Sequence, residues 1–374
     1  MNKAIYLCAA AALAMASCSN DELVEVAKND AINFRTVVGL NTKATEVKTT
    51  DLDNQGVYVT TFDASGKLLF GETHYTKQGT EWTAGQYWGN NATLNFYLTL
   101  PKLSEWVTNA SLTNDSKKLT GVTVNDKIAE QVDLVAVAKT GVTKTNAAIA
   151  AQLEHVLSQI EIQAKNNNAN YKYKVKGVRI NNVSNQGDID LSSNTWSNVS
   201  TATGDIKTYS VEYDDAQVIE LNSTTGNAET LTVKRDSKAT TDNAMLIPQS
   251  ANAWDGTSKS DDTTTPVTGS YISVLVNITT KDDVAVYPKD GGYGWVAVPV
   301  AFTWEKGNKY IYTLDFSKGA GKVDPVNPGT DVKPGQPDKD PDKGQPVLGD
   351  EIKFTVTVNS WNNNPTDFNG NTQM

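Results

Sequence analysis

The fold class of this 374-residue chain is decided by the stretch Glu351-Ile352-Lys353-Phe354-Thr355-Val356-Thr357-Val358-Asn359. Apolar residues fall on every second position, and successive side chains of a β-strand point to opposite faces. The β-branched residues in the stretch also favour extended backbone. It therefore predicts a β-strand whose apolar face is formed by Ile352, Phe354, Val356 and Val358.

Short apolar runs of the same kind recur upstream, separated by turn-forming clusters such as Asn-Gln-Gly, Ala-Ser-Gly and Lys-Asp-Gly-Gly. No long segment keeps a 3.6-residue period, and residues 146–157 are the best helical candidate. Many short strands with polar loops predict antiparallel β-sandwiches. We therefore expect an all-β chain with two sandwich domains over residues 44–145 and 146–318, and the weakest join at 139–146.

The charge balance and the reactive residues exclude several classes of function. The formal net charge is −10, so the chain has no long-range attraction for nucleic acid or anionic lipid. Only two cysteines and two histidines are present, which are too few for a disulfide framework or a zinc site. We expect no metal, no cofactor and no nucleic-acid partner.

The first residues are typical of an export signal. Lys3 precedes an apolar run over residues 4–16, which is shorter than the roughly 20 residues of a membrane-spanning helix. The run ends in Met15-Ala16-Ser17-Cys18, which resembles the end of a bacterial lipoprotein signal. We expect a signal peptide over 1–17, an acylated Cys18 and an outer-membrane lipid anchor. The alternative is an ordinary signal peptide with an incidental cysteine.

Residues 319–346 hold six of the chain's twelve prolines together with five glycines. A stretch of that composition buries little apolar surface, which predicts an extended, solvated linker over 319–348. A patterned strand follows this linker, so residues 349–374 need a sheet edge or a groove that accepts them.

The two ends of the chain carry the same pattern. Aligned without gaps, the faces are Ile32, Phe34, Thr36 and Val38 against Ile352, Phe354, Val356 and Val358. Two strands with this spacing could fill the same row of pockets. One interpretation is strand replacement, in which the first strand leaves and the last strand of another subunit takes its place. The other is that any two half-buried strands look alike over seven residues.

Strand replacement requires that the first strand be cut free, because burying three or four such side chains is worth about 1.5–3 kcal/mol each. The polar stretch after it contains Lys43-Ala44 and Lys48-Thr49, which a trypsin-like protease could reach. Arg35 is a further basic position, but it lies inside the strand pattern, where pairing should protect it. We expect cleavage between Lys43 and Ala44, with Lys48 and Arg35 as alternatives, and hence a propeptide over 18–43.

Several segments together resemble one family, in that family's order. They are Ile32-Asn33-Phe34, Thr42-Lys43-Ala44, Trp88 ahead of Leu94-Asn95-Phe96-Tyr97 and Pro101, Asp133-Leu134-Val135-Ala136, Leu153-Glu154-His155-Val156-Leu157-Ser158, Leu246-Ile247-Pro248-Gln249, and Gly307-Asn308-Lys309-Tyr310-Ile311-Tyr312-Thr313-Leu314. With its lipoprotein-like start, the chain resembles the Bacteroides-type fimbrillins, subunits of pili assembled by protease-triggered strand exchange. The resemblance implies two transthyretin-like β-sandwich domains, an arginine- or lysine-specific protease as a partner, and a C-terminal donor strand. Lys43 stands where many relatives have arginine.

Candidate catalytic groups are few. His155 lies in a strand pattern, where we expect it to be packed or hydrogen-bonded rather than catalytic. Acid pairs at 214–215, 261–262 and 282–283 lie in loop-like sequence, where solvation accounts for them. We therefore expect no enzyme activity and no catalytic residue.

Together with the strand pattern, the resemblance to fimbrillins implies a structural subunit of cell-surface fimbriae that supports adhesion and binds other copies of itself or related subunits. Its precursor would be held in the outer membrane through Cys18 until a protease cuts it. The alternative is a monomeric surface lipoprotein that binds glycans through tryptophans in loops. Trp254, outside the clearest strand patterns, is the candidate for that role, and the C-terminal strand would then fold back onto its own chain.

Overall fold

The computed structural model describes residues 30–38, 47–232, 243–260, 267–335 and 339–361. Strands dominate these ranges, so the all-β prediction is confirmed. The first twelve strands are β1 (Ala31–Val38), β2 (Val57–Asp63), β3 (Leu68–Gln78), β4 (Glu81–Tyr87), β5 (Thr93–Leu100), β6 (Lys118–Thr123), β7 (Val135–Thr143), β8 (Ile149–His155), β9 (Ser158–Lys165), β10 (Tyr171–Ser184), β11 (Gln186–Asp190) and β12 (Thr195–Ser197). The others are β13 (Ile206–Glu212), β14 (Ile219–Glu220), β15 (Glu229–Thr230), β16 (Ala244–Leu246), β17 (Ser250–Ala251), β18 (Tyr271–Thr280), β19 (Ala285–Tyr287), β20 (Gly294–Pro299), β21 (Phe302–Thr303), β22 (Asn308–Asp315), β23 (Lys322–Val323) and β24 (Lys353–Ser360).

Helices are short. They are α1 (Thr49–Gln55), α2 (Leu103–Trp106) and three 3₁₀ turns at Ile128–Glu130, Thr203–Asp205 and Asp215–Gln217. Within the described ranges, none of the helices combines the length and the apolar character that crossing a membrane requires.

Seven strands of the first half form a closed barrel in the order β1-β4-β3-β2-β5-β7-β8. All its ladders are antiparallel except the one between β1 and β8, which is parallel and closes the barrel. Side chains from around the barrel fill its interior, among them Phe34, Val59, Trp82, Phe96 and Leu153. The first half is therefore more closed than the open sandwich that the sequence predicts.

The second half is a sandwich of two sheets. One sheet has the order β13-β10-β18-β20-β23, with β14 and β19 attached, and the other has the order β15-β9-β22-β24, with β16 on β9. Val175 and Val276 of the first sheet share a buried cluster with Ile162 and Leu314 of the second, which shows that the sheets pack face to face. The pairing of β22 with β9 is parallel. β6 pairs with β11 and so ties the two halves together.

The join between the halves lies later than expected. Residues 139–143 belong to β7, and the helical candidate at 146–157 is the strand β8 instead. The side chains of Ile149, Ala151, Leu153 and His155 alternate inward, which is a period of two. Because β8 pairs with both β7 and β1, the barrel extends to His155 rather than ending at residue 145.

The expected extended linker is wrong for the residues described between 319 and 348. They fold onto the second sandwich: β23 pairs with β20, and Ala320, Val323 and Val332 are buried. Because the segment has few apolar side chains, two buried carboxylates also help to hold it on the sandwich. Asp324 accepts hydrogen bonds from the Ser273 hydroxyl and from two backbone N–H groups, and Asp340 accepts from the backbone of Lys289 and Lys333.

The loop returns to where it started. Gly319 and Gly349 form an isolated β-bridge, and a Cβ on Gly319 would overlap the carbonyl oxygen of Asp350. Glycine at 319 therefore permits the close approach of the two ends of the loop.

Candidate functional site

β1 is an internal strand of the barrel with one fully buried face. Ile32, Phe34, Thr36 and Val38 alternate with half-buried residues and point into the core. β4 pairs with one edge of β1 and β8 with the other, so that Phe34 lies opposite Trp82 and Ile149.

Phe34 lies at the centre of an aromatic cluster. Its ring meets Tyr75 edge to face at 5.1 Å and Phe96 at 5.2 Å, between ring centroids. Trp88 packs on Phe96 in the same geometry at 5.9 Å. Burial raises the pKa of the Tyr75 hydroxyl, which keeps it neutral at physiological pH. Phe34 is thus the deepest apolar anchor of β1.

Among the described residues, the side-chain hydrogen bonds that hold β1 are few. The amide nitrogen of Asn33 donates to Glu81 Oε2 at 3.1 Å, and the backbone N–H of Val38 donates to Thr49 Oγ1 at 3.2 Å. Just before the strand, Asp30 pairs with Lys144 at 2.7 Å. The hold on β1 therefore comes from its apolar face and its two backbone ladders.

Loss of β1 would open the barrel. β4 and β8 would then each present an unpaired edge, about 9–10 Å apart, which is twice the spacing of neighbouring strands. Pockets for Ile32, Phe34 and Val38 would line the gap. We call this gap the β1 slot. It fits one extended strand with apolar side chains on every second position.

The expected processing positions fall in different surroundings. Cys18, Lys43 and Ala44 lie outside the described residues. Arg35 lies within β1, where its backbone pairs with that of Ala150. Lys48 is the N-cap residue just before α1, and its backbone N–H donates to Asp51 Oδ2 at 2.8 Å. Both alternative sites are thus built into regular structure, which protects backbone from proteases.

The C-terminal strand has the opposite surroundings to β1. Within the described part of the chain, β24 pairs along one edge, antiparallel to β22, at the margin of its sheet. Ile352, just before it, is buried and Phe354 is half-buried, but Val356 is 43% exposed and Val358 is 53% exposed. Half of its apolar face therefore has no cover among the described residues.

Trp361 anchors the end of β24. It is fully buried, and its ring lies flat on His155, with 3.9 Å between centroids and 7° between planes. His155 Nδ1 is 2.7 Å from Asp133 Oδ2, which also accepts the backbone N–H of Val47 at 2.9 Å. The expectation that His155 is packed and hydrogen-bonded in a strand is confirmed.

This junction was not foreseen from the sequence as a unit. Asp133 and His155 both lie in the family-like segments quoted above, and that was the available signal. Trp361 has the opposite parity to Ile352 and Phe354, so the period-two pattern places it off the apolar face.

The other candidate groups are structural. Trp254, which we expected in an exposed loop, is 1% exposed and packs on Tyr271. Asp215 and Asp283 make surface ion pairs with Lys176 and Lys172. Within the described ranges, no three or more His, Cys, Asp and Glu side chains are grouped so as to hold a metal ion. Asp261 and Asp262 lie outside those ranges.

Comparisons with solved structures find fimbrial proteins, one of which shares this fold. A crystal structure of a fimbrial protein from Bacteroides vulgatus matches with a TM-score of 0.52 and 15% identity, covering 88% of this chain and 99% of that chain. The tip fimbrial protein Mfa3 from Porphyromonas gingivalis, with a C-terminal truncation, matches with a TM-score of 0.36 and 9% identity, covering 88% of this chain and 100% of that chain. A search of curated proteins finds no match.

The family comparison is more decisive than either of these structures. The model of the family described as fimbrillin-like matches residues 42–361, a span that takes in the barrel from β2 onward, the sandwich and β24. The chain belongs to the fimbrillin-like family.

Proposed function

We propose that this protein is a structural subunit of cell-surface fimbriae that supports adhesion and polymerises by protease-triggered donor-strand exchange. A protease cuts the precursor after Lys43, β1 leaves the barrel, and residues 351–359 of a second copy enter the β1 slot. Family membership supports the fimbrial part of this proposal.

One observation carries the exchange step: the C-terminal segment repeats the residue spacing of β1, but only β1 has that face covered along its whole length. The inward residues of β1 are covered completely, while Val356 and Val358 at the matching positions of β24 stay exposed. An exposed apolar face gains free energy when it moves into a buried row of pockets. A strand that pairs along one edge can likewise gain a second backbone ladder.

The precursor stage follows from the N-terminal signal. Acylation of Cys18 would hold the precursor in the outer membrane. The cut after Lys43 would separate the subunit from the propeptide 18–43, which carries the lipid anchor and β1. Backbone pairing at Arg35 and the helix start at Lys48 make the Lys43–Ala44 bond the better site.

The alternative is a monomeric glycan-binding lipoprotein. Its candidate glycan-contacting residue, Trp254, is buried and cannot stack on a sugar. In this chain β24 does lie on its own sandwich, as that alternative requires. A free fimbrial subunit needs the same resting place, since an unpaired apolar strand would aggregate. Burial of Trp254 therefore separates the two proposals better than the position of β24 does.

The test uses the full precursor with a lysine-specific protease. We expect intact mass and N-terminal sequencing to give a new start at Ala44, together with SDS-resistant multimers. In a Phe354→Asp variant the same cut should occur but multimers should be absent, because a carboxylate cannot enter the Phe34 pocket without a large desolvation cost.

The matched control is Thr355→Asp, which places the same charge on the opposite face of β24. It should assemble like the wild type. Donor-strand exchange is wrong if Phe354→Asp still forms SDS-resistant multimers after verified cleavage. A lipidated Cys18 as the sole N-terminus of surface protein, in monomers only, would favour the anchored alternative.

A further inference from the structure

β1 carries two buried polar atoms that have no hydrogen-bond partner among the described residues, and each weakens its binding in the β1 slot. Thr36 is the polar member of its inward face and is 2% exposed. Its hydroxyl oxygen is buried and has no hydrogen-bond partner among the described residues. On the other face, Asn33 donates to Glu81, but its carbonyl oxygen is also buried and lacks a partner within the described part of the chain.

The C-terminal strand has neither the threonine hydroxyl nor the asparagine carbonyl at the matching positions. In the ungapped alignment, Val356 takes the position of Thr36, and valine has the same shape as threonine without the hydroxyl. Lys353 takes the position of Asn33. Its ammonium is a donor only, so it brings no acceptor to be left unpaired, and it would face the Glu81 carboxylate.

We infer that β1 is a built-in weak occupant of the slot, and that Thr36 and Asn33 give the C-terminal strand of a second copy the advantage in exchange. This inference rests on the proposed function and adds its direction. A buried hydroxyl without a partner weakens the binding of the strand that carries it by about tenfold or more. The remaining anchors, Ile32, Phe34 and Val38, are matched by Ile352, Phe354 and Val358 and so contribute little to the difference.

The difference between Thr36 and Val356 and the difference between Asn33 and Lys353 have different physical causes, so their effects on exchange can be measured separately. Loss of the Thr36 hydroxyl acts inside the apolar core and is insensitive to salt. The Lys353–Glu81 contact lies on the half-buried outer face and should weaken as ionic strength rises. Residue 36 is therefore the cleaner position to test.

The experiment follows full-length precursor, cut by a lysine-specific protease, into SDS-resistant multimers at one fixed concentration. Thr36→Val turns β1 into a better occupant. We expect a higher unfolding temperature of the uncut precursor and multimer formation at least about tenfold slower than in the wild type. Thr36→Ser keeps the hydroxyl, so it should convert at least as fast as the wild type.

The reciprocal change is Val356→Thr, which gives the incoming strand the same buried hydroxyl that Thr36 gives β1. Its multimers should form more slowly and dissociate in SDS at a lower temperature than wild-type multimers. Combined with Thr36→Val, it should nearly abolish multimer formation, because β1 then carries the valine and the incoming strand carries the buried hydroxyl.

The outcomes separate this inference from the proposed function. If the wild type assembles and Thr36→Val assembles at the same rate, Thr36 does not set the direction, while donor-strand exchange survives. If the cut wild type stays monomeric, the proposed function fails and this inference fails with it.

Discussion

β1 and β24 are two strands with one apolar pattern and different neighbours. β1 is paired along both edges, and its inward face fills the centre of a barrel. β24 is paired along one edge, and most of its side chains face solvent. Alternation in the sequence thus shows that a strand has an apolar face, but the number of neighbours decides whether that face is covered.

The largest expected contrast comes from the two matched phenylalanines. Phe34→Ala leaves a cavity among Tyr75, Phe96 and Trp82, so we expect a loss of about 3–5 kcal/mol in the free energy of unfolding. Phe354→Ala should cost about 1 kcal/mol, because that side chain is half-exposed in the free subunit. Urea unfolding of the two full-length precursors measures both. Similar losses would mean that β24 is as firmly held as β1.

Trp361 is the strongest tie between β24 and the rest of the chain. Trp361→Ala removes the stack on His155, and we expect a loss of about 3 kcal/mol in the local stability of β24. Hydrogen exchange of the β24 amides should accelerate, while the β1 amides should remain protected. Asn359→Ala, on the exposed part of the same strand, is the control. Unchanged exchange in Trp361→Ala would show that pairing with β22 suffices.

Acid should loosen the sheet that contains β24. Burial alone raises the pKa of Glu161 on β9, but hydrogen bonds from Lys309, Gln163 and Thr230 and the Lys309 charge outweigh it and hold the pKa below its ordinary value. A lowered carboxyl pKa contributes stability above its unfolded value of 4.5, and that stability is lost as pH falls through the folded pKa.

Glu161→Gln is the test of this pH dependence. At pH 7 it should cost about 2 kcal/mol, because a charge-assisted contact with Lys309 is weakened. As pH falls below 4.5 and through the lowered pKa of Glu161, the variant and the wild type should converge in thermal unfolding. An equal difference at both pH values would assign the effect to packing rather than to ionisation.

The smallest effect is expected at the exposed end of the pattern. Val358→Ala should change the unfolding free energy of the free subunit by less than about 0.5 kcal/mol, because the side chain is 53% exposed. Val38→Ala, its buried counterpart, should cost about 1–2.5 kcal/mol. If Val358→Ala nevertheless lowers the SDS resistance of multimers, the side chain is buried only after assembly.

Local patterns predicted the strands well and their partners poorly. Alternation placed β1 and β24, because each strand's periodicity is contained in a few consecutive residues. The same signal cannot reveal that Asp133, His155 and Trp361 meet, since they are far apart in sequence and each is ordinary in its own segment. The proline-rich stretch misled for a related reason: composition counts apolar residues, whereas Asp324 and Asp340 hold that segment through hydrogen bonds.

The orphaned hydroxyl of Thr36 was also beyond sequence reasoning. A threonine in a strand is unremarkable by propensity, and only the complete surroundings show that its oxygen has no donor or acceptor nearby among the described residues. The matching of Thr36 to Val356 could be read from the two sequences, but its energetic meaning could not.

The bridge between Gly319 and Gly349 has a mechanical consequence. The 29 residues between these glycines begin and end at the same point of the sandwich, so the segment adds almost nothing to the distance between the sandwich and β24. At roughly 3 Å per residue it holds about 90 Å of contour length in reserve. Once β24 is seated in a second copy, a pulling force on it would first break the pairing of β23 and the hydrogen bonds of Asp324 and Asp340 and then draw out this reserve. A subunit could then lengthen by up to about 90 Å before its barrel or sandwich carried the load.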